Sequence, residues 1–148
     1  MFSWADFEQA APELAGIARE RIENHGFMLL GTIRRDGTPR ISPVEVRVVE
    51  GRLVMSVVRG STKERDIQRD PRIVLHSPML HSDDPNDELK LRGRAAAVED
   101  EQLAKAAALW TPPPELDVFC VDIESAAFLA WSKGELTMTR WSRSRGLY

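Results

Sequence analysis

A single cysteine among 148 residues excludes an internal disulfide. That residue, Cys120, stands in the apolar run Val118, Phe119, Val121 and Ile123, so it reads as a small core side chain rather than a nucleophile. No apolar stretch reaches the length needed to cross a bilayer and no basic leader precedes one, which places the chain in the cytoplasm as an expectation. A net charge of −3 gives no general field for nucleic acid or an anionic membrane. Any anion site must be local. Neither G-x-G-x-x-G nor G-x-x-x-x-G-K-[ST] occurs, which removes the common dinucleotide and nucleotide-hydrolysis signatures. His25, His76 and His81 lack the spacing and cysteine partners of a zinc site.

What is present is enough apolar sequence, 43%, for one real core, and the chain reads as one domain over 1–148. Residues 1–25 form a helical segment packed on it. Ser3 and Asp6 suit a capping box with Phe2 and Phe7 as its hydrophobic staple. Pro12 restarts the helix, and Gly26 suits a left-handed cap. Strands are expected at 27–33, 40–49, 53–58, from 73, at 89–98, 118–131 and 136–141, with turns at Asp36-Gly37, Glu50-Gly51 and Lys133-Gly134. Gly93 is a candidate bulge. Short helices are expected at 62–69 and 99–110, and three prolines at 112–114 end the second. Residues 78–87 read as an acidic surface loop, where Asp83, Asp84 and Asp87 are solvated rather than metal-bound. Strands joined by tight turns predict a mainly β fold with peripheral helices, a six- or seven-stranded antiparallel barrel.

The stretch from Arg40 to Arg69 carries the most chemistry. Ser61 and Glu64 are explained by a capping box, but a lysine at 63, in the first helical turn, opposes the positive end of the helix dipole unless an anion is near. The Ser61 and Thr62 hydroxyls, the free amides and the Lys63 ammonium suit a phosphate. Antiparallel pairing around Glu50-Gly51 brings Arg40 to the same open end of the hairpin as this loop. Glu45 and Glu88 are possible acids or bases, equally explained as half-exposed strand carboxylates. Trp4 and Trp110 fit helix faces in the core. Trp131 and Trp141 flank the last hairpin, where aromatics fill a core, close over a planar ligand or enter a subunit interface.

The ordered set GTIRRDGTPRISPV (31–44), the hairpin at 50–53, SVVRGSTKERDIQRDPRIVL (56–75) and LRGRAAAVED (91–100) resembles the pyridoxamine 5′-phosphate oxidase-like, FMN-binding split-barrel family. The resemblance implies a split barrel that forms a homodimer with cofactor at the subunit interface. It also implies a flavin (FMN)-binding oxidoreductase with a small-molecule substrate; the charge balance leaves no nucleic acid or membrane as an expected partner. In that likeness Arg40, Thr62 and Lys63 match the phosphate contacts, and Ser61 belongs to the same loop. Ile41, Ser42 and Pro43 edge the ring, Ser56 and Val57 line the ring and ribityl chain, and Glu88 falls where some members place a glutamine near the ring. Glu45 departs from a lysine-bearing pattern, and the tail SRSRGLY lacks the long segment that completes the vitamin oxidase's substrate site. The deazaflavin F420 is the alternative cofactor, a non-catalytic flavin-binding or sensing module the alternative role, and no catalytic residue is assigned.

Overall fold

The computed structural model describes residues 1–79, 87–107 and 115–148. Helix α1 (Trp4–Ala10) begins where Ser3 accepts a hydrogen bond from the Asp6 amide while the Asp6 carboxylate accepts from the Ser3 amide, so the capping box forms as the sequence predicts. Phe2 and Phe7 both lie against Trp141, at centroid distances of 5.3 and 5.0 Å. Trp141, 2% exposed, is therefore a core residue, not the rim of a ligand site. Helix α2 (Pro12–His25) has its proline in the first turn and ends at Gly26, whose φ of 71° is the expected left-handed cap.

The strands are β1 (Phe27–Ile33), β2 (Pro39–Val49), β3 (Arg52–Val58), β4 (Arg72–His76), β5 (Glu88–Ala97), β6 (Leu116–Ser132), β7 (Glu135–Ser142) and β8 (Gly146–Leu147). All described pairings are antiparallel, in the order β3-β2-β1-β4-β5-β6-β7-β8, and β3 also pairs with β6. That last pairing closes six strands into a barrel. The far ends of β6 and β7, with β8, lie outside the closed ring. One strand exceeds the expected count because Gly146 and Leu147 pair with Ser142 and Trp141; the glycine-containing tail carries no strand pattern of its own.

Alternation along the strands fills the barrel. Leu30, Val44, Val46, Leu53, Met55 and Leu91 point inward and are at most 3% exposed. The Glu50-Gly51 hairpin has both central residues at positive φ, 49° and 70°, the mirror-image turn whose twist suits antiparallel strands. Gly93 does sit at a bulge: Arg92 pairs with Ser125 and Gly93 with Ile123, leaving Glu124 extra. A side chain at 93 would place its Cβ 2.2 Å from the Asp122 carbonyl oxygen, so backbone approach fixes the residue type.

Helix α3 (Thr62–Arg69) follows β3, and helix α4 (Glu101–Ala107) covers Val54, Val118 and Cys120 in a second apolar cluster. Cys120 is 3% exposed, and burial raises its thiol pKa, as befits an inert core cysteine. The expected run of the second short helix through Trp110 and the prolines at 112–114 lies outside the described residues. So does most of the acidic loop, with His81, Asp83 and Asp84. Asp87 is described, and it pairs with Arg21. No helix among the described residues is long and apolar enough to cross a membrane.

Candidate functional site

The barrel is split beside β2. This strand pairs with β1 from Pro39 to Glu45 but with β3 only from Glu45 to Val49. Beyond the Glu45–Ser56 pair β3 leaves, because the Val58 carbonyl accepts from the Ser61 amide and turns the chain into α3. The Val46 amide donates to Gly26 across the β1 side, so even-numbered residues of β2 bond toward β1 and odd-numbered ones toward β3. Ile41 therefore directs its amide and carbonyl into the gap, where no strand pairs with it among the described residues. Pro43 directs its carbonyl the same way.

Lys63 fills part of this gap. Its Nζ donates to the Pro43 carbonyl at 2.5 Å, and burial lowers its pKa. The long side chain thus carries the charge off the helix axis, which answers the dipole conflict in the sequence without a bound anion. Around it lies a cavity of about 340 Å³ lined by Phe27, Pro43, Glu45, Ser56, Val58 and Leu116.

A second concavity of about 510 Å³, whose lining includes Thr62 and Arg40, the chain neighbours of Lys63 and Ile41, is strongly cationic: Arg34, Arg35, Arg40, Arg65 and Arg69 line it with Thr62, Asp36 and Asp66. Asp66 organises it. Its carboxylate, 4% exposed, accepts from Arg40 Nε at 2.6 Å, Thr32 Oγ1 at 2.9 Å and Arg69 at 3.1 Å. Burial alone would raise its pKa, but the bonds from Arg40, Arg69 and Thr32 outweigh it and hold the carboxyl below its usual range. Asp36 is tied to Thr38, and Arg65 donates to the Gly60 carbonyl. Positive charge exceeds negative by three in this lining.

The connecting loop is braced from below. Ser61 caps α3, accepting from the Glu64 amide at 3.4 Å. Glu64 reaches back to the Gly60 amide, one residue earlier than a standard capping box, because the Ser61 amide is already committed to Val58. Glu64 is 3% exposed. A hydrogen bond to Asp117, then burial, raises its pKa, while Asp117 is lowered first by Arg59, which donates to it at 2.9 and 3.1 Å. Of this pair Glu64 is shifted towards its protonated form and Asp117 towards its ionised form.

The sequence-derived site residues separate into distinct places. Arg40 and Thr62 line the cationic basin, whereas Pro43, Ser56 and Lys63 line the split. Ile41 gives its backbone to the split and is 74% exposed as a residue. Ser42 shares the inward parity of Val44 and bonds toward β1, so its backbone does not edge the gap. Val57 is fully buried in the barrel. Ser61 is a helix cap. Glu88 stands elsewhere, 2.9 Å from Lys90 and 3.7 Å from His76, beside a separate groove formed by Leu29, Gly31, Ile41 and Val74. Arg34, Arg35, Arg65 and Arg69 were not anticipated; the four-residue spacing of Arg65 and Arg69 on one helical face was the available signal. Leu116 had none, since it arrives only through the closure of β3 on β6. No cluster of three or more potential metal ligands occurs among the described residues.

The family model of pyridoxamine 5′-phosphate oxidase matches residues 16–130. The chain belongs to this family. Among solved structures, this pyridoxamine 5′-phosphate oxidase family member is similar to a pyridoxamine 5′-phosphate oxidase-related, FMN binding protein from Nostoc punctiforme. There the TM-score is 0.68 at 15% identity, covering 93% of this chain and 95% of that one. It also resembles a NimC/NimA family protein from Clostridium acetobutylicum, with TM-score 0.68, 17% identity and coverage of 90% and 96%. A heme binding protein from Mycobacterium smegmatis matches at TM-score 0.65 and 22% identity, over 82% of this chain and 55% of its own. At these identities the likeness is one of fold. No curated protein sequence matches the chain.

Proposed function

We propose that this family member binds FMN across the split and the basin and acts as an oxidoreductase on a small molecule. The observation that carries the reading is the edge of β2 at Ile41, which no strand pairs on the gap side among the described residues, one residue along the chain from Arg40 in the arginine basin. A flavin ring has polar edge atoms that seek backbone partners and a phosphate that seeks guanidinium groups. Ile41 would meet the ring edge, Ser56 the adjoining chain, and Arg40, Thr62 and Arg65 the phosphate. The flavin would supply the electron transfer, and these residues would orient it. The excess of arginine over a single phosphate favours F420, which carries a longer anionic tail, as the second reading.

A homodimer fits the same reading. Leu129, Trp131, Leu136 and Met138 share one face of the β6–β7 ribbon, because Trp131 pairs with Leu136 and Leu129 with Met138. Trp131, Leu136 and Met138 are 57%, 54% and 47% exposed. An apolar face of this kind suits a second copy that closes the cofactor site.

The test is separate titration of flavin-free protein with FMN and with F420, followed by reduction with NAD(P)H. Tight binding and bleaching support an oxidoreductase. Binding without turnover reduces the claim to a flavin-binding module, and binding of neither cofactor overturns both.

A further inference from the structure

Helix α4 does not lie on the main core. Val54, Val118 and Cys120 form a separate cluster with Leu103 and Ala107 of α4, on the outside of the barrel wall, because their chain neighbours Met55, Phe119 and Val121 point into the barrel. Leu103 is the one large side chain that this seven-residue helix buries; Ala107 adds only a methyl group. So short a helix has little stability of its own. Its last described turn is held by side chains from two strands: Arg47 Nη1 on β2 donates to the Ala106 carbonyl at 3.1 Å, and Ser56 Oγ on β3 to the Ala107 carbonyl at 3.4 Å. Ser56 also lines the cavity of the split, beside Glu45 and Val58. It pairs with Glu45 on one side and Val118 on the other, so one row of the wall runs from that cavity to the cluster under α4. A hydroxyl has one hydrogen to give. A ligand atom that accepts it takes it from Ala107.

We propose that α4 is a local cover over Cys120, latched by Ser56, which opens while the barrel stays folded and opens more often when a ligand in the split accepts the Ser56 hydrogen. The coupling is reciprocal, since whatever loosens α4 frees Ser56 for the ligand. The response to ligand rests on the flavin reading; the cover itself does not.

Cys120 is the only thiol in the chain, so its modification reports the cover directly. The full chain is treated with iodoacetamide at fixed pH, over urea concentrations below the unfolding transition, and the alkylation rate is followed by mass spectrometry. The rate is expected to be nearly flat in urea, the mark of an opening that exposes little surface. Ser56→Ala and Arg47→Ala should each raise it several-fold, whereas Asp66→Ala, which weakens the fold away from α4, should leave it unchanged. Saturating FMN should raise the rate in the parent and not in Ser56→Ala. A rate that climbs with urea at the slope of global unfolding, or that rises in Asp66→Ala, overturns the cover, and a Ser56→Ala rate equal to that of the parent overturns the latch. FMN that binds without changing the parent's rate overturns the coupling alone. Failure of FMN to bind overturns the flavin reading and the coupling with it, while the urea series and the variants still decide the cover.

Discussion

Arg40 Nε lies 2.6 Å from Asp66 Oδ2, so an arginine at the basin is fixed by a nearly buried acid on the facing helix. The same carboxylate holds Arg69 and Thr32. The ion pair joins β2, α3 and β1, and it determines where the guanidinium can point.

Removing the acid should therefore damage both fold and basin. Asp66→Ala is expected to cost about 3 kcal/mol in urea unfolding, the scale of leaving a buried partner unpaired. Because the folded carboxyl is held below its ordinary 3.8, its stabilisation is present above that value and is lost as pH falls through the lower folded value. The variant should show a smaller loss of stability on acidification below pH 3.8 than the parent.

Cofactor affinity and helix capping are separable. Arg34→Ala and Arg65→Ala should each weaken FMN by about 2 kcal/mol, the scale of a hydrogen bond to a charged group. Ser61→Ala should instead cost about 1 kcal/mol of folding stability, the loss of a helix cap. Its FMN affinity, measured by fluorescence titration, should stay near that of the parent.

Glu64 has the opposite pH sign to Asp66. Its folded pKa is raised, so the stability it contributes is present below its unfolded value and is lost as pH rises through the folded one. Glu64→Gln retains a donor for Asp117 and an acceptor for Gly60 without titrating. Thermal melts across pH should show the parent losing stability relative to this variant as Glu64 ionises.

Two strand glycines should differ sharply. A Cβ at Gly93 meets the Asp122 backbone at 2.2 Å, whereas one at Gly31 meets the Val74 side chain at 2.5 Å. Val74 stands at the surface and can change rotamer; the backbone cannot. Gly93→Ala should cost at least about 3 kcal/mol, the upper range for overpacking, and Gly31→Ala clearly less. Parallel chemical denaturation measures the difference.

The ribbon provides a test of assembly. Leu136→Asp places a charge opposite Trp131 on the exposed apolar face. Sedimentation should give a species of twice 16.7 kDa for the parent and of 16.7 kDa for the variant.

Much of the fold was legible because its signals are local. Ser3 and Asp6, Gly26, the Glu50-Gly51 turn and the Gly93 bulge each follow from one or two residues and their neighbours. The site was harder to read, since its two chambers depend on where β3 parts from β2. Arg40 and Lys63 do sit near that opening, but strand parity and the turn at Val58 send them to different chambers. Val57 is one residue from Ser56 and faces the opposite side of the barrel wall. Trp141 could be assigned to the core only once α1 had brought Phe2 and Phe7 against it.

An unpaired strand edge invites another strand to dock on it, a route to aggregation. In β2 the odd positions that face the gap include Pro39 and Pro43, which have no amide hydrogen to offer, and Lys63 occupies the Pro43 carbonyl. Only Ile41 in that stretch presents both halves of a ladder bond. The edge is thereby denied to an extended polypeptide while staying accessible to a compact ligand, so the prolines guard against self-association at the place where the barrel must remain open.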